Sequence, residues 1–178
     1  MDYSALALNS QRTWQHEYTL TTMLYRAALQ WVTSKLGDRC KVVVWGHSLG
    51  TAIASHMVAE FDLETGGNSP VAGLVLESPF NNMLEEVRTY KLSTALASNL
   101  LGLDTAATVL EAEVAFETDK WLPAVRCPVL ILHAGDDAVV PHRLGMALEA
   151  SVREAGKTNT RLVSFPSSLG LGHGGIHR

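Results

Sequence analysis

The spacing of apolar positions changes several times along the chain. In "LTTMLYRAALQWVTSKL" (Leu20 to Leu36), apolar side chains fall at Leu20, Met23, Leu24, Ala27, Ala28, Trp31 and Val32. Steps of three and four predict a helix with one apolar face, and Gly37 is a plausible stop. "KVVVWG" (Lys41 to Gly46) is a short β-branched run ending in glycine, which predicts a strand buried on both faces. Leu49 to Phe61 reads as a helix. "VAGLVLESP" (Val71 to Pro79) and "CPVLILHAG" (Cys127 to Gly135) predict a second and a third buried strand. Pro141 to Ala155 is helical, with proline acceptable in the first turn, and "RLVSFP" (Arg161 to Pro166) is a fourth strand. Strands alternating with helices predict an α/β fold on a parallel sheet.

Phe80 to Leu122 breaks this alternation, with helical stretches near Met83 to Tyr90, Ser93 to Leu101 and Thr105 to Phe116. An insert at the carboxyl ends of sheet strands is where a cap over an active site would sit. The competing reading is a helical packing element with no gating role. No internal repeat or low-complexity tract is visible.

With 178 residues, 47% of them hydrophobic and 18% charged, the chain suits one domain with a substantial core. A net charge of −4 and the lack of a Lys/Arg cluster give no reason to expect nucleic acid. The two cysteines, Cys40 and Cys127, each precede a valine-rich run and read as buried thiols rather than a disulfide framework. The start, "MDYSALALNSQRTW", has no basic leader and no long apolar stretch, and no apolar run anywhere reaches the ~18 residues of a membrane span, so the chain reads as soluble. No cofactor and no metal are expected.

The candidate chemistry starts at Gly46-His47-Ser48-Leu49-Gly50, a G-x-S-x-G motif with a strand before it and a helix after it. A turn this tight forces the serine into a strained conformation, often with φ > 0. Glycines two residues to either side remove Cβ atoms that would collide with strand and helix. The hydroxyl of Ser48 is then held over the sheet edge, where the Leu49 N–H and the helix dipole can stabilise an oxyanion. His47, inside the turn, is expected to line the pocket. The bland alternative is a small-residue turn that only lets the helix pack.

A serine needs a base, and the base needs an orienting acid. The chain order expected on such a fold is Ser, Asp/Glu, His. In "VLILHAGDDAVVP" the acid belongs in the loop after the strand, where Asp136 and Asp137 compete. Asp137 is favoured because Ala138 to Val140 can anchor the loop behind it; Asp136 suits a backbone-capping role. Among seven histidines, His16 and His56 lie on helical stretches, His133 ends a strand and His142 opens a helix. His173 and His177 both follow the fourth strand. Flanking glycines give His173 the freedom a reaching base needs, whereas His177 lies where fraying is expected.

Together "VVVWGHSLGTAIA", "LVLESPFNN", "CPVLILHAGDDAVVPHRLG" and "SFPSSLGLGHGGI" closely resemble the α/β-hydrolase serine lipases that act on lysophosphatidylserine and monoacylglycerols. The resemblance runs from about Leu20 to Ile176. It implies a partial α/β-hydrolase fold of about four parallel strands with flanking helices and a cap insert. It also implies Ser48 as nucleophile, Asp137 as acid, His173 as base and the Leu49 amide as an oxyanion donor. By the same resemblance the substrate is a small lipid ester, and the enzyme is anchored by an N-terminal helix in the endoplasmic reticulum membrane.

The "GLGHGGIHR" ending departs from the family's aromatic-bearing version. The family's core also begins well before position 1, with the loop that gives a second oxyanion amide, and closes with a helix after the histidine. The chain is therefore expected to be truncated, with the Val42 to Trp45 strand on an open edge. Since one oxyanion donor is worth about 10²–10³ in rate, weak or no activity is expected of it alone. Two rival readings keep the sequence but change the outcome: a peptidase or acyl-protein thioesterase using the same triad, and a non-catalytic remnant.

Overall fold

The computed structural model of the chain describes residues 20–35, 37, 41–81 and 116–178. Their centre is a 4-stranded sheet. Its strands β1 (Val42–His47), β2 (Val71–Glu77), β3 (Val129–Ala134) and β4 (Thr160–Phe165) lie side by side in chain order. All three pairings are parallel, with Val44 opposite Leu74, Leu76 opposite Ile131 and Leu132 opposite Val163. Parallel neighbours need crossovers. Helix α2 (Leu49–Glu64) carries the first, and α3 (Thr118–Trp121) with the tight turn Leu122–Ala124 ends the second. Helix α4 (His142–Glu154) forms the third. Helix α1 spans residues 20–35.

The sheet's carboxyl ends share one rim. His47 is paired with Glu77, and Ala134 with Phe165, so whatever follows each strand is delivered to the same side of the molecule. The core lies between sheet and helices. Leu74, Leu76 and Ile131 of the strands meet Met57, Val58 and Ala59 of α2 and Leu148 and Val152 of α4, all buried. On α4 the buried Leu144, Leu148 and Val152 follow the four-residue helical step. Helix α2 is buried more widely, including Thr51, Ser55 and Asp62. Two of these groups have clear partners: Ser55 Oγ donates to Thr51 O at 2.8 Å within the helix, and Asp62 Oδ2 accepts from the Arg126 amide at 2.7 Å.

Two patterns read from the sequence land differently. The apolar face expected on α1 is not the buried one: Leu20, Met23, Leu24 and Trp31 are exposed, while Leu29 and Thr22 are buried. Helical spacing identifies a face but not its neighbour: Leu29 joins the core cluster, and Arg26 pairs with Glu64 of α2. Nor is β1 buried on both faces. It is the sheet edge among the described residues, and Val43 and Trp45 are more than half exposed (59% and 53%). The cap-like insert over 80–122 lies largely outside the described residues, as do its three expected helices apart from Phe116. Cys127 is buried, and burial, aided by the Asp62 charge, raises its thiol to about 11. Cys40 lies outside the described residues. Among those residues no helix is long and apolar enough to cross a membrane.

Lys157, just before β4, is also buried, and burial lowers its pKa. Its Nζ donates to the carbonyls of Val125 and Cys127 and to Asn159 Oδ1, tying the entry of β3 to that of β4. Lys157→Met removes the donor but keeps most of the packing. It is expected to cost about 1–3 kcal/mol in urea unfolding, because two buried carbonyls lose a partner.

Candidate active site

The turn between β1 and α2 has the strained form its sequence predicts. Ser48 adopts φ 52° and ψ −123°, a left-handed backbone on a non-glycine residue. Its amide donates to Glu77 O at 2.9 Å, extending the β1–β2 ladder by one step. Ser78 does the same at the end of β2, with φ 50° and its amide on Leu132 O at 2.8 Å. Leu49 opens α2, so its N–H has no acceptor within the helix and is available beside Ser48.

The two elbow glycines are not equivalent. A Cβ on Gly46 would lie 2.5 Å from Gly50 O and 2.9 Å from Thr51 Cα, both backbone atoms that cannot swing aside. A Cβ on Gly50 would meet nothing within 4 Å, so close packing does not account for that glycine. Gly46→Ala is therefore expected to lose about 1–3 kcal/mol in chemical denaturation from overpacking. Gly50→Ala is expected to be neutral, or more stable by up to about 1 kcal/mol through reduced chain entropy. Equal losses for both would contradict this account of the turn.

Asp137 and His173 meet, although 36 positions separate them. His173 Nδ1 donates to Asp137 Oδ2 at 2.9 Å and lies 3.1 Å from Oδ1. The carboxylate is held by its own loop, where the Val139 and Val140 amides donate to Oδ1 at 3.0 and 2.9 Å. Burial by itself would raise the Asp137 pKa. The surrounding side chains of His133, His173 and Ser78 and the Val140 amide outweigh this and hold the carboxyl well below the usual carboxylate range. His133 contributes from beneath the loop: its Nε2 donates to Val140 O at 2.8 Å and is 3.5 Å from Asp137 Oδ2. Gly145 leaves room for that ring, since a Cβ there would come within 2.3 Å of Nδ1.

Asp136 takes the backbone-capping role, but on a distant segment: the Gly172 amide donates to its Oδ2 at 3.0 Å. Ser48 and His173 are not hydrogen-bonded to each other among the described residues. The elbow reaches the histidine loop through His47, whose Nε2 donates to His173 O at 2.8 Å with ring centroids 4.8 Å apart. His47 also lines a cavity of about 460 Å³ with Trp45, Glu77 and His177. A larger cavity of about 1040 Å³ lies at the opposite ends of the strands, around Lys41, Val71 and Pro128, away from these groups.

His177, where fraying was expected, is half-exposed but has a partner. Its Nδ1 donates to Glu77 Oε1 at 2.8 Å. His133 ends its strand hydrogen-bonded in place, as expected, whereas Ser78 and Glu77 were not singled out in the sequence, although a glutamate closing the apolar run "VAGLVLE" was a signal. Of the remaining histidines, His56 stacks on Trp121 at 3.9 Å, and His142 Nε2 is hydrogen-bonded to Ser164 Oγ at 2.7 Å. His16 lies outside the described residues. Among those residues no group of three metal-type ligands converges.

Comparison with known proteins agrees with this topology. Zebrafish (Danio rerio) lysophosphatidylserine lipase ABHD12 is 34% identical over 154 residues, which cover 84% of this chain and 39% of the relative. Human protein ABHD12B is 36% identical over 141 residues, covering 77% and 38%. The chain thus spans well under half the length of these relatives. Among solved structures, a cold-adapted esterase from an Arctic intertidal metagenomic library superposes with a TM-score of 0.56 at 19% identity, covering 92% of this chain and 55% of the other. The Pyrococcus furiosus esterase PF2001 superposes at 0.57 with 14% identity, covering 82% and 53%. At such identities these structures speak for the fold alone. The alpha/beta hydrolase fold family matches residues 1–105. With more than half of its length matched and the parallel sheet in place, the chain belongs to the alpha/beta hydrolase fold family.

Proposed function

We propose that this chain carries the catalytic centre of a serine ester hydrolase acting on lipid acyl esters, with Ser48 as nucleophile, His173 as base and Asp137 as the acid that orients it. The observation that supports the reading is the Asp137–His173 pair, whose loop is tied by the His47–His173 O hydrogen bond to the turn that carries the strained Ser48. Asp137 accepts the Nδ1 proton of His173, which leaves Nε2 as the proton acceptor. His173 Nε2 takes the Ser48 proton as Oγ attacks the acyl carbonyl. The tetrahedral oxyanion forms next to the Leu49 N–H, and the proton passes to the leaving alcohol. Water, deprotonated by the same imidazole, then releases the fatty acid.

The lipid class is supported by relatives such as the zebrafish protein, which are named lysophosphatidylserine lipases. Lysophosphatidylserine and monoacylglycerols are the substrates proposed. A labelled fluorophosphonate tests the centre directly, because it modifies a serine only when a base activates it. The label is expected on Ser48, with release of fatty acid from lysophosphatidylserine in parallel. Absence of labelling in a folded chain would overturn the reading, and turnover of acylated peptides or thioesters in place of lipid would redirect it.

A further inference from the structure

We infer that Glu77 and His177 form a clamp that positions His173, fixing the carboxyl side of the turn that carries the base. This rests on the serine hydrolase reading above. The segment from Gly170 to Gly175 contains glycines at 170, 172, 174 and 175, and Gly170 and Gly172 sit at φ 63° and 56°. Such a segment loses much backbone entropy when ordered. No residue from Ser167 to Arg178 is fully buried, so packing contributes little to that ordering.

Polar contacts hold it instead, and they are asymmetric. Before the imidazole, the Gly172 amide is held by Asp136, and the imidazole itself by Asp137. His47 secures the carbonyl of His173. Beyond it, His177 on Glu77 is the one side-chain hydrogen bond among the described residues. Around His173 the backbone folds so tightly that a Cβ on Gly175 would lie 2.3 Å from Leu171 O. A shift at His177 is therefore passed to His173 through a short, closed turn.

Glu77 is suited to be the fixed end. It is fully buried, it closes β2, and its backbone carbonyl accepts the Ser48 amide. Its second carboxylate oxygen accepts from Trp45 Nε1 at 3.1 Å, so the carboxylate cannot rotate freely. The His47 ring sits between the two other imidazoles, 4.8 Å from that of His173 and 5.6 Å from that of His177. One glutamate thus references the nucleophile by its main chain and the base's loop by its side chain.

The test uses the whole chain with His177→Ala, His177→Phe and His177→Asn. Phenylalanine keeps bulk without a donor, and asparagine places an N–H near the Nδ1 position. Hydrogen exchange of peptides from residues 166–178 is expected to quicken about 10-fold in the alanine and phenylalanine variants and to be restored by asparagine. On a p-nitrophenyl acyl ester, kcat is expected to fall about 10-fold with KM within about twofold, since a misplaced base loses transition-state stabilisation alone. Asparagine should restore kcat as well. Unchanged exchange or unchanged kcat in His177→Ala, or failure of asparagine to restore both, would overturn the clamp. The hydrolase reading fails separately, if the unaltered chain shows no Ser48-dependent turnover; exchange then still decides whether the clamp exists.

Discussion

Ser48→Ala is expected to reduce kcat on an activated acyl ester by about 10⁴–10⁶-fold, the range for removing a nucleophile that works as a unit with its base. KM should change little, because Oγ acts in bond formation rather than in holding the substrate. Stability should also change little. The Ser48 main chain carries the structural contacts, with its amide on Glu77 O and its carbonyl accepting from Thr51 Oγ1 at 2.6 Å. Ser48→Gly separates strain from chemistry. Glycine adopts φ 52° without penalty, so this variant should be equally inactive yet more stable than Ser48→Ala, by about 1 kcal/mol. A residual rate within tenfold of the unaltered chain, measured on protein free of contaminating esterase, would remove Ser48 from the mechanism.

Asp137→Asn is expected to cost about 10⁴ in kcat, because an amide facing Nδ1 can impose the wrong imidazole tautomer. The same change alters the acid limb of stability. In the folded chain the Asp137 carboxyl is held below its ordinary range, whereas in the unfolded chain it titrates near 3.9. As the pH falls below about 4, the unfolded chain takes up this proton first, and stability is lost progressively towards lower pH. Above that range the contribution is fully present and independent of pH. Urea midpoints between pH 7 and 2.5 should therefore fall more steeply for the unaltered chain than for Asp137→Asn. Parallel curves would mean that the network around this carboxylate is energetically unimportant.

What could be read from the sequence was decided by locality. Continuous runs such as "VLILHA" announce a strand because their spacing and flanking turns are contained within the segment itself. Gly46 and Ser48 were legible for the same reason, since the strain lies within one turn. The pairing of Asp137 with His173 needed chain order as well, and that order was available. The exposed face of α1, the exposed side of β1 and the hold on His177 depend on which other segment lies opposite. Trp45 and Val43 look like core residues in isolation, yet they lie on the exposed face of β1, opposite Val42 and Val44, which pack on the core. Gly50 was assigned a steric duty by symmetry with Gly46, but nothing approaches its Cβ position. His177 looked dispensable by position alone, and its partner lies 100 residues earlier.

The placement of the proposed base beyond the last strand bears on how the molecule assembles. Each parallel pairing requires a long crossover to close before it is rewarded, so the contact order is high and folding is expected to be slow. Most apolar burial involves β1 to β3 and their helices. His173 cannot meet Asp137 until β4 has docked on β3 and the final turn has closed. Secondary structure and burial can thus be regained while the Asp137–His173 pair is still open, and the proposed turnover is expected to be the last property to return during refolding.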